Sequence, residues 1–241
     1  MIKLLKNVVG ATALVGTRLR QAYWKRASQR KPANAATPSA TLPFEGSAEY
    51  WESRYAKGGH SGAGSYGPLA EFKSEFLNRF VAENEVQSVL EFGHGDGSQL
   101  ELVNYRNYLG FDVSETAVNS CRQRFVGDKT KSFRLLSEYN GETSELALSL
   151  DVIYHLVEDQ VFDFYMRRLF AAAARYVVIY SSNKDDNPPS DAPHVRHRKF
   201  TDWAAGNAGD WALVAHIPNQ HPFRGDYRQG SFADFFVYEK K

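Results

Sequence analysis

Apolar residues recur at spacings of three and four through Leu69, Phe72, Phe76, Leu77, Phe80 and Val81, and the pattern predicts a helix over 69–83. Val86, Val89, Leu90 and Phe92 follow as a short apolar run of the kind that forms a buried parallel strand. The run breaks into Gly93-His94-Gly95-Asp96-Gly97, after which Ser98 to Val103 has no breaker and reads as the start of a helix. Tyr105 to Val113 predicts a second strand that ends on Asp112, with Ser114 and Glu115 opening the next helix. Phe133–Ser137 is a third, short strand, and Leu146–Tyr154 a fourth that runs into Asp151 and His155. Val161 to Ala174 is the clearest helix, with Phe162, Tyr165, Met166, Leu169, Phe170 and Ala173 in one stripe. Tyr176–Tyr180 is a fifth strand, Phe200–Ala205 starts a further helix, and Trp211–Ile217 and Phe232–Tyr238 are two last strands suited to antiparallel pairing. Strands and helices alternating in this way predict a parallel sheet with helices on both faces.

The N-terminal part breaks this pattern. Residues 32–43 are rich in proline, alanine and threonine and read as a flexible linker to a domain over 48–241. Residues 1–44 hold eight Lys or Arg and no acid, which leaves 21 basic and 28 acidic residues, a net of −7, for the rest. An acidic body argues against a nucleic-acid partner. The basic segment 1–31 has an apolar face of Leu4, Val8, Val15, Leu19 and Ala22, which suits peripheral contact with an anionic membrane. Its longest uncharged run, Asn7–Thr17, is too short to span a bilayer. The single cysteine, Cys121, allows no internal disulfide and fits a cytoplasmic setting. Between Glu45 and Tyr66, the aromatics Tyr50, Trp51 and Tyr55 suggest a short helix. The five glycines of GGHSGAGSYG after it suggest either a tether or a lid over a ligand.

The glycine loop is where the chemistry begins. Glycine at alternate positions lets the backbone turn sharply and approach a ligand. The spacing is G-x-G-x-G rather than the dinucleotide G-x-G-x-x-G, and no G-K-[ST] follows to make a phosphate loop. Glu91, two residues before the first glycine, would repel a pyrophosphate and suits a ligand with a positive amino group and sulfonium. Asp112 lies 19 residues beyond Gly93, where a carboxylate faces ribose hydroxyls in a doubly wound sheet. The pattern E-x-G-x-G-x-G resembles motif I of the class I S-adenosylmethionine-dependent methyltransferases. Ser149–Leu156, SLDVIYHL, is similar to the D-V-x-x-H-L stretch common in that superfamily. GSYG-x-L-A-x-F-K and H-V-R-H-R-x-F also look like a bacterial subgroup encoded with glycan-modifying enzymes.

The resemblance implies an α/β, Rossmann-like seven-stranded methyltransferase sheet and S-adenosyl-L-methionine as cofactor. It implies a cofactor site of Glu91, Gly93, Gly95, Asp96, Gly97, Asp112 and Asp151. A hydroxyl acceptor on a glycan, lipid-linked sugar or small molecule needs a base, and His155, His194 and His197 are the candidates, all expected on one rim of the sheet. Arg196 and Arg198 are candidates for a phosphate or carboxylate of the acceptor. No metal site is expected. Asp186-Asn187-Pro188-Pro189-Ser190 imitates an amino-methyltransferase motif, but follows strand five and ends in serine, so it reads as loop chemistry. The alternative to an enzyme is a degenerate cofactor-binding scaffold.

Overall fold

The computed structural model describes residue 44 and residues 46–188 and 192–241. The expectations for the basic segment 1–31 and for the linker as far as residue 43 lie outside the described residues. Five strands run parallel: β1 (Val89–Phe92), β2 (Tyr108–Asp112), β3 (Lys131–Leu135), β4 (Ser144–Leu150) and β5 (Ala173–Ser181). Two more, β6 (Trp211–Ile217) and β7 (Asp234–Lys240), pair antiparallel, and β7 lies antiparallel to β5. The sheet order is β3-β2-β1-β4-β5-β7-β6. The chain winds outward from β1 to β3 and then jumps back to β4 beside β1. That reversal opens a crevice at the C-terminal ends of β1 and β4, where open α/β sheets bind their ligands.

Helices α1 (Ser47–Ala56), α2 (Gly67–Glu83), α3 (Glu115–Arg124), α4 (Asp159–Ala171) and α5 (Phe200–Asn207) complete the α/β, Rossmann-like fold. All four residues of β1 are buried, as an apolar strand covered on both faces must be. On one face, Phe162, Met166 and Leu169 of α4 and Phe200 of α5 pack over Phe92, Ala147 and Ile179. On the other, Phe76 of α2 stacks on Phe235 at 4.1 Å, and Phe80 meets Tyr176 edge-on.

Several boundaries differ from the sequence pattern, and three of them have a clear local reason. No helix follows the glycine loop; there is one 3-10 turn, Leu100–Leu102. Asn78 of α2 donates to the Leu102 carbonyl (2.9 Å) and accepts from the Asn104 amide (2.8 Å), so the chain is drawn out straight where a second turn would form. Strand β4 stops at Leu150 rather than Tyr154, because Asp151 takes a left-handed backbone (φ 59°) and a short turn, Ile153–His155, follows. Helix α4 ends at Ala171, and β5 starts at Ala173, where pairing with Ser144 draws the chain into the sheet.

Candidate functional site

A cavity of about 1100 Å³, its open mouth included, lies at the C-terminal ends of β1, β2 and β4. Gly93, Asp112 and Asp151 line it from the three strand ends, and α1 covers it with Ala48, Trp51 and Tyr55. The cover is tied down at its start and at its middle. Ser47 donates through its amide and hydroxyl to Glu158 ahead of α4 (2.9 and 2.5 Å). Glu52 accepts from the Ser114 and Thr116 hydroxyls at the start of α3 (both 2.6 Å). The glycine-serine segment 58–67 is an ordered flap on the glycine loop. Ser61 donates its amide to Asp96 and its hydroxyl accepts from the Asp96 amide (both 2.9 Å), while the Tyr66 hydroxyl donates to the same carboxylate (2.7 Å).

The structure therefore separates the residues grouped by motif. Gly93 reaches the cavity, and a Cβ there would come within 2.5 Å of Val152. Gly95 and Gly97 do not line it. A side chain on Gly95 would strike Ser61 (2.3 Å), and one on Gly97 would strike Cys121 and Phe125. Asp96 is spent on the flap: Oδ2 takes Ser61 and Tyr66, and Oδ1 takes the Ser98 amide (2.9 Å). Asp112 lines the cavity, with Oδ2 accepting from the Gly95 amide and Oδ1 from the Ser114 amide (both 2.9 Å). Ser114, not Asp112, is the N-cap of α3, accepting from the Ala117 amide. His94 turns its ring under the loop against Phe133, where Nδ1–H donates to the Gly95 carbonyl (2.8 Å) and Nε2 has no partner among the described residues.

Two buried groups that sequence reasoning missed complete this cavity. Lys73 of α2, 1% exposed, pairs with Asp151 at 2.6 Å. It is the one charge on the apolar stripe of its helix, and that misplacement was the available signal. Gln99 donates to the Ala70 carbonyl (3.1 Å) and leaves Oε1 buried without a partner among the described residues. Glu91 is buried on the same cavity lining. Burial pushes its carboxyl up to about 7, against the opposing Tyr108 hydroxyl (2.6 Å) and the Lys73 charge. Val113, Val161 and Phe164, also in the lining, present exposed apolar surface.

A second cavity of about 1030 Å³ shares Trp51, Ser61, Asp151 and His155 with the first, and is otherwise walled by Arg54, Tyr154, His194, Tyr227 and Phe232. The three candidate histidines part here. His155 Nδ1 lies 2.9 Å from the His194 carbonyl, which only accepts, so Nδ1 carries the proton and Nε2 the lone pair. Trp51 meets the His155 ring edge-on at 4.8 Å. Burial, with His194 and Arg54 nearby, drives the His155 imidazole down to about 4. His194 stacks on Tyr50 at 4.1 Å, and its Nε2 faces the Tyr50 hydroxyl at 3.2 Å. Arg54 donates to that hydroxyl (3.3 Å), which leaves the phenol proton for His194. Burial and Arg54 bring His194 down to about 4 as well.

His197 is not on this rim. It is 3% exposed, bonded to the Ser182 hydroxyl (2.7 Å) and packed edge-on against Phe232, a structural position. Arg196 and Arg198 are also committed. They donate to the Leu156 and Val157 carbonyls and pair with Asp159 at 2.9 Å, pinning the turn that carries His155. Asn187, inside the imitation motif, bonds both backbone groups of His197 (2.6 and 3.0 Å), which is loop chemistry as expected.

No protein-family model and no curated protein matches the sequence. Solved structures match by fold. The N-methyltransferase NodS from Bradyrhizobium japonicum WM9, in complex with S-adenosyl-L-homocysteine, has a TM-score of 0.62 at 15% identity, over 81% of this chain and 99% of that one. Magnesium protoporphyrin IX methyltransferase (ChlM) from Synechocystis PCC 6803, also with S-adenosylhomocysteine, gives 0.58 at 13% identity over 80% and 97%. The methyltransferase domain of bacterial CtHen1-C gives 0.56 at 16% identity over 70% and 97%. The seven-stranded sheet is thus the fold of these methyltransferases. Their names give differing acceptors, so the likeness does not choose one.

Proposed function

We propose that the chain is an S-adenosylmethionine-dependent methyltransferase that acts on a hydroxyl of a glycan, lipid-linked sugar or small molecule. The observation that carries this is the junction of two cavities at Trp51, Asp151 and His155, one with a donor set for the cofactor and one with a free imidazole nitrogen. Bound at the first cavity, the cofactor supplies an electrophilic methyl on its sulfonium. Asp112 keeps lone pairs for the ribose hydroxyls. The unpartnered Gln99 Oε1 and the Glu91 carboxyl suit the amino group, the Lys73 ammonium suits the carboxylate, and Val113, Val161 and Phe164 give the purine a flat apolar seat.

His155 is the base in this reading. Its turn is held by Arg196 and Arg198, its Nδ1 proton is fixed by the His194 carbonyl, and Nε2 is open on the wall between the cavities. His194 is excluded from that role because Tyr50 occupies its Nε2. Holding an acceptor hydroxyl in line beside this lone pair combines positioning with proton removal. Calorimetry with S-adenosylmethionine and with NAD tests the cofactor; tight NAD binding with no S-adenosylmethionine binding would sink the reading. Release of S-adenosylhomocysteine against a panel of hydroxyl acceptors tests the activity. Cofactor binding without turnover on any acceptor would favour the scaffold.

A further inference from the structure

Resting on the methyltransferase reading, we infer that the acceptor carries an anionic group, a carboxylate or a phosphate, held by Arg54 at the mouth of the second cavity. Every other charge around that cavity is accounted for. Asp151, the one acid on its wall, is paired with Lys73 at 2.6 Å and accepts from the Tyr154 hydroxyl at 2.8 Å. His155 and His194 are neutral. Arg54 has no carboxylate within ion-pair distance among the described residues. Its Nε donates to the His60 carbonyl (2.7 Å) and its Nη1 to the Tyr50 hydroxyl (3.3 Å). A guanidinium has five N–H donors, so three remain, and Arg54 lines the cavity. Arg196 and Arg198, by contrast, are ion-paired with Asp159 and donate to backbone carbonyls.

The geometry suits bidentate capture. The two bonds that hold Arg54 fix the plane of the fork, and a fixed fork matches a carboxylate or phosphate edge. The walls beyond it are aromatic: Trp51, Tyr154, Tyr227 and Phe232. Tyr227 is 55% exposed and stacks on Phe223 at 4.4 Å, so the aromatic surface continues out of the cavity. Such walls take the flat face of an aromatic ring or the C–H face of a sugar. The acceptor is therefore a ring-shaped body with a hydroxyl at His155 and a negative group at Arg54.

The test uses the full chain loaded with S-adenosylhomocysteine and matched probes: 4-hydroxybenzoate against 4-hydroxybenzamide, glucuronate against glucose, and glucose 1-phosphate against glucose. At least one anionic probe should bind about ten- to a hundredfold tighter than its neutral partner. The pair that does so separates an aromatic from a sugar body and a carboxylate from a phosphate. Arg54→Gln should abolish the preference and Arg54→Lys should restore part of it, with S-adenosylhomocysteine affinity unchanged in both as proof of folding. Equal binding of charged and neutral probes, no binding of any anion, or an undiminished preference in Arg54→Gln would each overturn the inference. A wild-type protein that fails to bind S-adenosylhomocysteine would overturn the underlying reading instead.

Discussion

His155 has one nitrogen committed and one open, and that asymmetry sets its expected behaviour. Replacing it by alanine should cost about 10²–10⁴ in turnover, with cofactor affinity retained by calorimetry. His194→Ala should cost less, since its lone pair already faces Tyr50. The acidic limb of kcat/KM should fall near pH 4 rather than 6.5, because protonation at about 4 removes the lone pair. The same depression makes stability pH-dependent. The folded state resists a proton that the unfolded chain accepts below about 6.5, so stability present above that pH is lost as pH falls toward 4. Glu91 gives a third measurement. Its carboxyl, near 7 in the free protein, should give up its proton to solvent when a cationic amino group arrives beside it. Calorimetry at pH 7 in buffers of different ionisation enthalpy should then show proton release on cofactor binding, and none in Glu91→Gln. Glu91, Gly93, Asp112, Asp151 and His155 were legible because strand, loop and strand end are contiguous in sequence. Arg54, Lys73 and Gln99 were not. The first two reach the site from helices that precede β1, and Gln99 from a predicted helix that does not form.

At the scale of elements, the flap 58–67 and helix α1 decide how the crevice is closed. Asp96 is the clasp, with three flap contacts through Ser61 and Tyr66. Asp96→Ala should leave the Ser61 amide without its acceptor, at about 1–3 kcal/mol. Hydrogen exchange should rise across 58–67 while the strands stay protected, and cofactor affinity should fall. The composition of that segment left tether and lid equally open; in the structure a pair of reciprocal bonds between residues 35 apart holds it on the glycine loop. The helix expected after the glycine loop failed for a similar reason. Its local pattern permits a helix, but Asn78, from another element, straightens the chain.

For the whole molecule, the succession of strands and helices was readable because the central strands β1, β4 and β5 are apolar runs buried over most of their length, and they alternate with amphipathic helices. The pairing of β7 between β5 and β6 was only half readable, since the sequence predicts an antiparallel hairpin but not which strand lies inside. Charge adds a separate expectation. The body from residue 45 carries a net −7 and the first 44 residues carry eight positive charges, so each Lys or Arg near an anionic bilayer contributes about 1 kcal/mol. The full chain should float with anionic liposomes at low salt, and a version lacking residues 1–40 should not. If both sediment, the basic segment is not a membrane contact.

The edge-on seat of Trp51 against His155 also makes the site visible to light. A charged imidazole drains the excited state of a neighbouring indole far better than a neutral one does. Tryptophan emission should therefore dim as pH falls through about 4, and the dimming should vanish in Trp51→Phe. An acceptor hydroxyl lying against the imidazole would perturb the same signal, so occupancy of the second cavity can be followed optically, before any methyl has moved.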